Sequence, residues 1–111
     1  MPKAPFAPNR EKLRAIVPDL VDYTHDLVYG QIWERPGLSK RDRSLVTVAA
    51  LIALARPDFV KTHIERAIGN GVTREEISEV ITHLPFYAGW PAAMSAGLMA
   101  LKAIDGDAAQ A

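Results

Sequence analysis

Residues 38–57 read LSKRDRSLVTVAALIALARP, and the fold turns on how this stretch is interpreted. From Ser44 to Ala55 it carries no charge and is mainly apolar. Those twelve residues fall short of the roughly 20 needed to span a bilayer, so the run predicts a buried helix and no membrane partner. Ser39 is placed to cap the helix, with the acidic Asp42 three residues on where a capping box puts its acid. Arg56-Pro57 ends it, because proline disfavours helical geometry in the preceding residue and has no amide donor. From Leu45 to Ala55 nearly every side is apolar, the pattern of a helix surrounded by other helices or by another subunit.

Working outward, cap and turn signals divide the rest into further short helices. Residues 1–8 contain three prolines and read as an irregular arm. Asn9 is a cap candidate for REKLRAIV, and Pro18 suits the first turn of a second helix bearing Leu20, Val21, Leu27 and Val28 before the GQIWERPG turn. Beyond Pro57, a helix over about 58–70 carries the stripe Val60, Ile64, Ala67 and Ile68, and Gly71 stands where a left-handed residue closes a helix. Thr73-Arg-Glu-Glu76 is a capping box opening the next helix, whose core face is Ile77, Val80, Ile81, Leu84 and Ala88. Pro91 opens the last, which continues to about Ile104. No segment alternates like a half-buried strand, so the fold class is all-α, a compact bundle of about six helices.

Composition narrows the function. The 111 residues suit one domain, and thirteen Lys+Arg balance thirteen Asp+Glu, leaving no global field to attract nucleic acid. Without cysteine the chain has no disulfide, thiolate metal site or thiol redox chemistry. The opening MPKAPFAPNREK has no secretory pattern, so the default location is cytoplasmic.

Three groups of polar residues are candidates for chemistry. His63 lies between Phe59 and Ala67 on the flank of an apolar stripe and is expected to be at least half buried, as a packed histidine or as an acid/base group. Glu76, Glu79, His83 and Tyr87 follow one another at helical spacing beside a core face. Glu79 and His83, four apart, are close enough to pair, which orients the imidazole and raises its basicity; a solvated helix face is the alternative. Lys40, Arg41 and Arg43 place cations at a helix start, where they oppose the macrodipole and want a partner: a neighbouring carboxylate or an acidic ligand. Thr47, four residues after Arg43, shares its face.

Three blocks together carry a resemblance. LSKRDRSLVTVAAL (38–51), HIERAIGNGVTREEI (63–77) and YAGWPAA (87–93), in this order and with these gaps, resemble the carboxymuconolactone decarboxylase family over roughly residues 17–104. The resemblance implies an AhpD-like all-α fold that assembles into a homo-oligomer, a trimer or hexamer. It divides the chain into an arm and short helix over 1–16, the helical domain over 17–104 and a flexible C-terminal tail over 105–111. The thiol-dependent alkylhydroperoxidases of the same superfamily use Cys-x-x-Cys, three further residues and a histidine, with a glutamate upstream. Those positions here hold Arg56, Phe59, His63 and Ser44, so peroxide reduction by thiols is excluded.

The resemblance instead implies decarboxylation of a small carboxylated lactone in aromatic catabolism. That chemistry needs an electron-accepting carbonyl, a group to stabilise the developing oxyanion and an acid to return a proton, and requires no metal or organic cofactor. On residue chemistry, His83 oriented by Glu79 is the expected proton donor and His63 a second acid/base or oxyanion donor. Arg41 and Arg43 are expected to hold substrate carboxylates beside Thr47, with Tyr87 and Trp90 as walls. Pro85 departs from the small residue common at its position and stands to re-aim His83 and Tyr87. A cofactor-free isomerase or lyase on another small carboxylate, or a non-catalytic helical module, are the alternatives. GVTREEISEVITHLPFYAGW has the outline of a helix-turn-helix half, but Glu75, Glu76 and Glu79 against Arg74 are wrong for DNA.

Overall fold

The structure, a computed structural model, describes residues 8–106, with side chains from residue 10. Of the irregular arm expected over 1–8, residues 1–7 lie outside the described residues and Pro8 already opens a helix; of the tail expected over 105–111, residues 107–111 lie outside them and Asp105 is the last residue of a helix. Every regular element among the described residues is helical. They resolve into two units, one ending at Lys40 and the other beginning at Arg41.

In the first unit, α1 (Pro8–Lys12) runs into a 3₁₀ turn (Leu13–Ala15), so Asn9 lies inside the helix it was expected to cap. Pro18 opens α2 (Pro18–Tyr23), as its fixed φ and missing amide favour. The helix then widens into a nine-residue π-helix, Thr24–Ile32. The Thr24 hydroxyl donates to the Leu20 carbonyl at 2.8 Å where the widening begins, a back-bond of the kind that bends helices. Arg14 ties the short segments together by donating to Glu11 at 2.9 Å and Asp22 at 2.6 Å.

The second unit is organised around α3 (Lys40–Ala53), α4 (Pro57–Gly69), α5 (Arg74–His83), a short α6 (Pro85–Ala88) and α7 (Trp90–Asp105). Val48 and Ile52 of α3, Val60, Ile64 and Ala67 of α4 and Ile77 of α5 are buried together with Ala96 and Ala100 of α7. The small alanines let α7 pack closely on α4, the most extensive helix pairing in the molecule. The apolar stripe expected on α4 is correct except for Ile68, which is exposed. α3 buries one face, Ser44, Val48 and Ile52, and leaves Val46 exposed on another; Leu54, just past its end, is also exposed.

Local signals set the helix ends. Gly71 has φ +100°, the left-handed closure expected of it. At α5 the Glu76 amide donates to Thr73 Oγ1 at 3.1 Å and the Thr73 amide to Glu76 Oε1 at 2.9 Å, a complete capping box. Thr73→Ala is therefore expected to lower unfolding free energy by about 1 kcal/mol, measurable by urea titration with an unchanged m-value. Pro85 has a larger effect than the expected loss of one hydrogen bond: α5 stops at His83 and Pro85 opens α6 as a separate turn, so Tyr87 does not share a helix with His83.

Candidate functional site

A pocket of ≈ 220 Å³ lies where α3 ends and α4 and α7 begin. Its walls are Ile52, Val60, Pro91, Ala92 and Ala96. Ala55, Arg56 and Pro57 contribute the lip, and Ser95 adds a hydroxyl from α7. The lip is shaped by backbone: Ala55 takes a left-handed φ of 56° although it has a side chain, at a cost of roughly 1–2 kcal/mol. That reversal carries the chain from the end of α3 into Pro57 at the first turn of α4.

Arg56 belongs to this lip, and its side chain is turned to two residues of α4 that do not line the pocket. Its guanidinium carbon sits 5.1 Å from the centre of the Phe59 ring, and Nη2 donates to Asp58 Oδ2 at 3.2 Å. The hydrogen bond from Arg56 holds the Asp58 carboxyl below its ordinary range. The lining is thus apolar apart from Arg56 and Ser95, and its volume is below the roughly 300–1,000 Å³ of drug-sized sites, which suits a small ligand.

The expected catalytic residues are distributed differently. His63 is partly buried on α4, one helical turn beyond the pocket-lining Val60. His83 is the exposed last residue of α5, and its ring lies 4.9 Å from the Tyr87 ring, tilted by 32°. Glu79 is exposed, and no hydrogen bond or ion pair joins it to His83 among the described residues, so the carboxylate-oriented imidazole does not form. The His83 ring instead packs on Tyr87, four residues on across the break at Pro85. Tyr87 is 78% exposed and Trp90 58% exposed. Trp90 meets Phe86 edge-on at 5.5 Å. As walls these rings are open to solvent on one side within a single chain.

The basic cluster is also redistributed. Arg41 is paired with Glu76 of α5 and donates to Asp42 at 3.1 Å, so a neighbouring carboxylate is one partner of this cation. Nonlocal packing decides this: the α5 start presents Glu76 to the α3 start, 35 residues away in sequence. Arg43 is partly buried with its Nε shielded from solvent. The Thr47 hydroxyl donates to the Arg43 carbonyl at 2.8 Å and is occupied by its own helix. Ser44, fully buried, accepts from Asn70 Nδ2 at 3.0 Å, which joins α3 to the end of α4. None of the eight residues expected to form the site lines the pocket, and among the described residues no group of three or more side chains is arranged to hold a metal ion.

Residues 18–103 match the model of the carboxymuconolactone decarboxylase family. The chain belongs to this family. Among curated members, 4-carboxymuconolactone decarboxylase of Acinetobacter baylyi is 41% identical over 90 residues, 81% of this chain and 67% of that protein. Nitrosuccinic acid decarboxylase of Metarhizium robertsii is 36% identical over 69% of this chain and 54% of its own length. An uncharacterized 15.0 kDa protein of Paracoccus denitrificans is 30% identical over 76% of this chain and 64% of its own length.

In this carboxymuconolactone decarboxylase family chain, Arg56 and Ser95 are the polar pocket residues that sequence reasoning missed. In the sequence Arg56 stands before the proline that ends the long apolar helix and at the first cysteine position of the thiol-dependent alkylhydroperoxidases, and neither place marks it as a pocket residue. Ser95, one small residue among the alanines of α7, carried no signal either.

Proposed function

We propose that the protein is a cofactor-independent carboxy-lyase acting on a small carboxylated lactone of the 4-carboxymuconolactone type, in aromatic catabolism. The similarity to the Acinetobacter decarboxylase carries this reading, and a small, mainly apolar pocket with Arg56 in its lining supports it. The C–C bond to the departing carboxylate breaks, and its electron pair passes into the conjugated lactone carbonyl. A proton then returns to carbon while the enolate collapses. Apolar walls favour this step by stripping water from the departing carboxylate.

We assign the proton return to His63, on grounds of its partial burial and its register one turn beyond Val60. His83, packed on Tyr87, is assigned the second acid/base position, and Arg43 a supporting cation. Arg41, committed to Glu76, and the exposed Glu79 are left outside the machinery. The exposed rings of Phe86, Tyr87 and Trp90, an apolar patch too open to exclude water alone, support a homo-oligomer, trimer or hexamer, as the working form. No described helix is long and apolar enough to cross a membrane, and balanced charge favours a cytoplasmic enzyme over a nucleic-acid binder.

A second reading has its own support in the Metarhizium relative: decarboxylation of a small nitro-substituted acid, in which the nitro group replaces the lactone carbonyl as electron acceptor. Purified protein incubated separately with 4-carboxymuconolactone and nitrosuccinic acid, with carbon dioxide release and ultraviolet absorbance followed, separates the two. Turnover of the lactone is expected. A folded oligomer that leaves the lactone unchanged would sink the first reading, and release from nitrosuccinate alone would establish the second.

A further inference from the structure

Arg56 and Ser95 are the two polar residues in the pocket lining. Arg56 and Ser95 approach it from different elements, the first from the junction between α3 and α4 and the second from α7. The remaining lining is hydrocarbon. A guanidinium presents parallel N–H donors matched to the two oxygens of a carboxylate. The Ser95 hydroxyl makes no hydrogen bond to another described residue, which leaves its donor available to a third direction around the same anion. The Arg56 guanidinium rests on Phe59 and Asp58, neither of which lines the pocket, so it meets a bound anion by exchanging its Asp58 contact.

We propose that Arg56, assisted by Ser95, is the subsite for the carboxylate that the substrate keeps, and that Asp58 is a built-in competitor which a bound carboxylate displaces. The proposal rests on the carboxy-lyase reading for the identity of the substrate, but the presence of Arg56 and Ser95 in one otherwise apolar lining carries the carboxylate chemistry. Asp58 contacts Arg56 through two long bonds, 3.2 and 3.5 Å, on an exposed surface where ion pairs are weakly held. A ligand carboxylate entering from the pocket side exchanges one partner for another without burying an unpaired cation. The apolar walls then surround the ring and the departing carboxylate, so the two carboxylates of one substrate meet opposite environments: one is neutralised, the other desolvated. Arg56 is a binding and orienting residue in this scheme and takes no part in proton transfer.

The test uses paraconate (5-oxotetrahydrofuran-3-carboxylate), a saturated lactone with a single carboxylate, and neutral γ-butyrolactone as its control. Binding to the full chain is followed by amide chemical shifts. Paraconate is expected to shift amides of residues 56–60 and 92–96, and Arg56→Ala to weaken its binding about ten- to a hundredfold. Arg56→Lys, a point charge without the fork, should recover part of that loss. Asp58→Asn should tighten binding by about two- to fivefold, an effect that a merely structural role for Arg56 does not produce. γ-Butyrolactone should be indifferent to all three substitutions.

Paraconate binding that is unchanged in Arg56→Ala, or shifts absent from both segments, overturns the subsite. Because binding is read without turnover, the two proposals fail separately. A protein that binds paraconate through Arg56 yet leaves 4-carboxymuconolactone intact refutes the proposed function and retains the subsite. Turnover of the lactone with an unchanged KM in Arg56→Ala retains the function and refutes the subsite.

Discussion

His63→Gln is expected to lower kcat for carbon dioxide release by about 10²- to 10⁴-fold, the usual contribution of a positioned general acid. Glutamine keeps similar bulk and hydrogen-bonding capacity, so the partly buried site on α4 stays filled, but an amide cannot deliver a proton near neutral pH. The loss should fall on kcat with KM little changed, because the proton is needed only after the C–C bond has begun to break. His83→Gln is the comparison. Its ring is exposed and rests on Tyr87, so replacing it removes an aromatic contact from an open surface, and a loss smaller than tenfold is expected. If His83→Gln proves the more damaging of the two, the proton donor assignment must be reversed. Thermal unfolding of both variants, at one protein concentration, separates a chemical loss from a folding one.

Ile64→Ala is expected to cost about 2–5 kcal/mol of stability, toward the upper end of that range. Ile64 is fully buried at the middle of α4, in the same cluster as Ala96 and Ala100 of α7. Alanines have no side-chain length with which to move into the vacated volume, so the cavity persists and the loss includes the cavity term as well as the transfer term. At roughly 4–8 °C per kcal/mol for a domain near this size, the melting temperature should fall by about 10 °C or more. Ile64→Val, which removes one methylene, should cost about 0.5–1.5 kcal/mol. Equal small losses for both would mean that α7 moves inward to close the gap, contrary to the packing described.

What was legible in the sequence was local. The Thr73–Glu76 capping box, the closure at Gly71 and the helix start at Pro57 each depend on residues within one turn, and each occurs as the residue types require. The all-helical class followed from periodicity and from the long uncharged run of α3. The partners of the polar residues were not legible, because they come from other elements: Arg41 meets Glu76 and Ser44 meets Asn70, 35 and 26 residues apart. The pocket was missed for the same reason, since its lining joins the α3–α4 junction to α7. The π-helix over Thr24–Ile32 depends on a change in hydrogen-bond register that leaves no mark in residue type.

The carboxylate of Glu76 has two oxygens and two unrelated duties: Oε1 completes the cap of α5, and Oε2 receives Arg41 from the start of α3. One side chain therefore transmits between two helix beginnings that share no backbone contact through it. The energetic cost of Arg41→Ala should depend on whether Thr73 is present, since a carboxylate no longer fixed by the cap is freer to follow, or release, the guanidinium. A double-mutant cycle on Arg41 and Thr73 is expected to give a nonzero coupling energy of about 0.5 kcal/mol or more, although neither residue is the other's partner. Position 76 is thus a crossroads: a glutamine there preserves the shape of both contacts but weakens them together, so tolerance to change at either helix start is set by a residue belonging to only one of them.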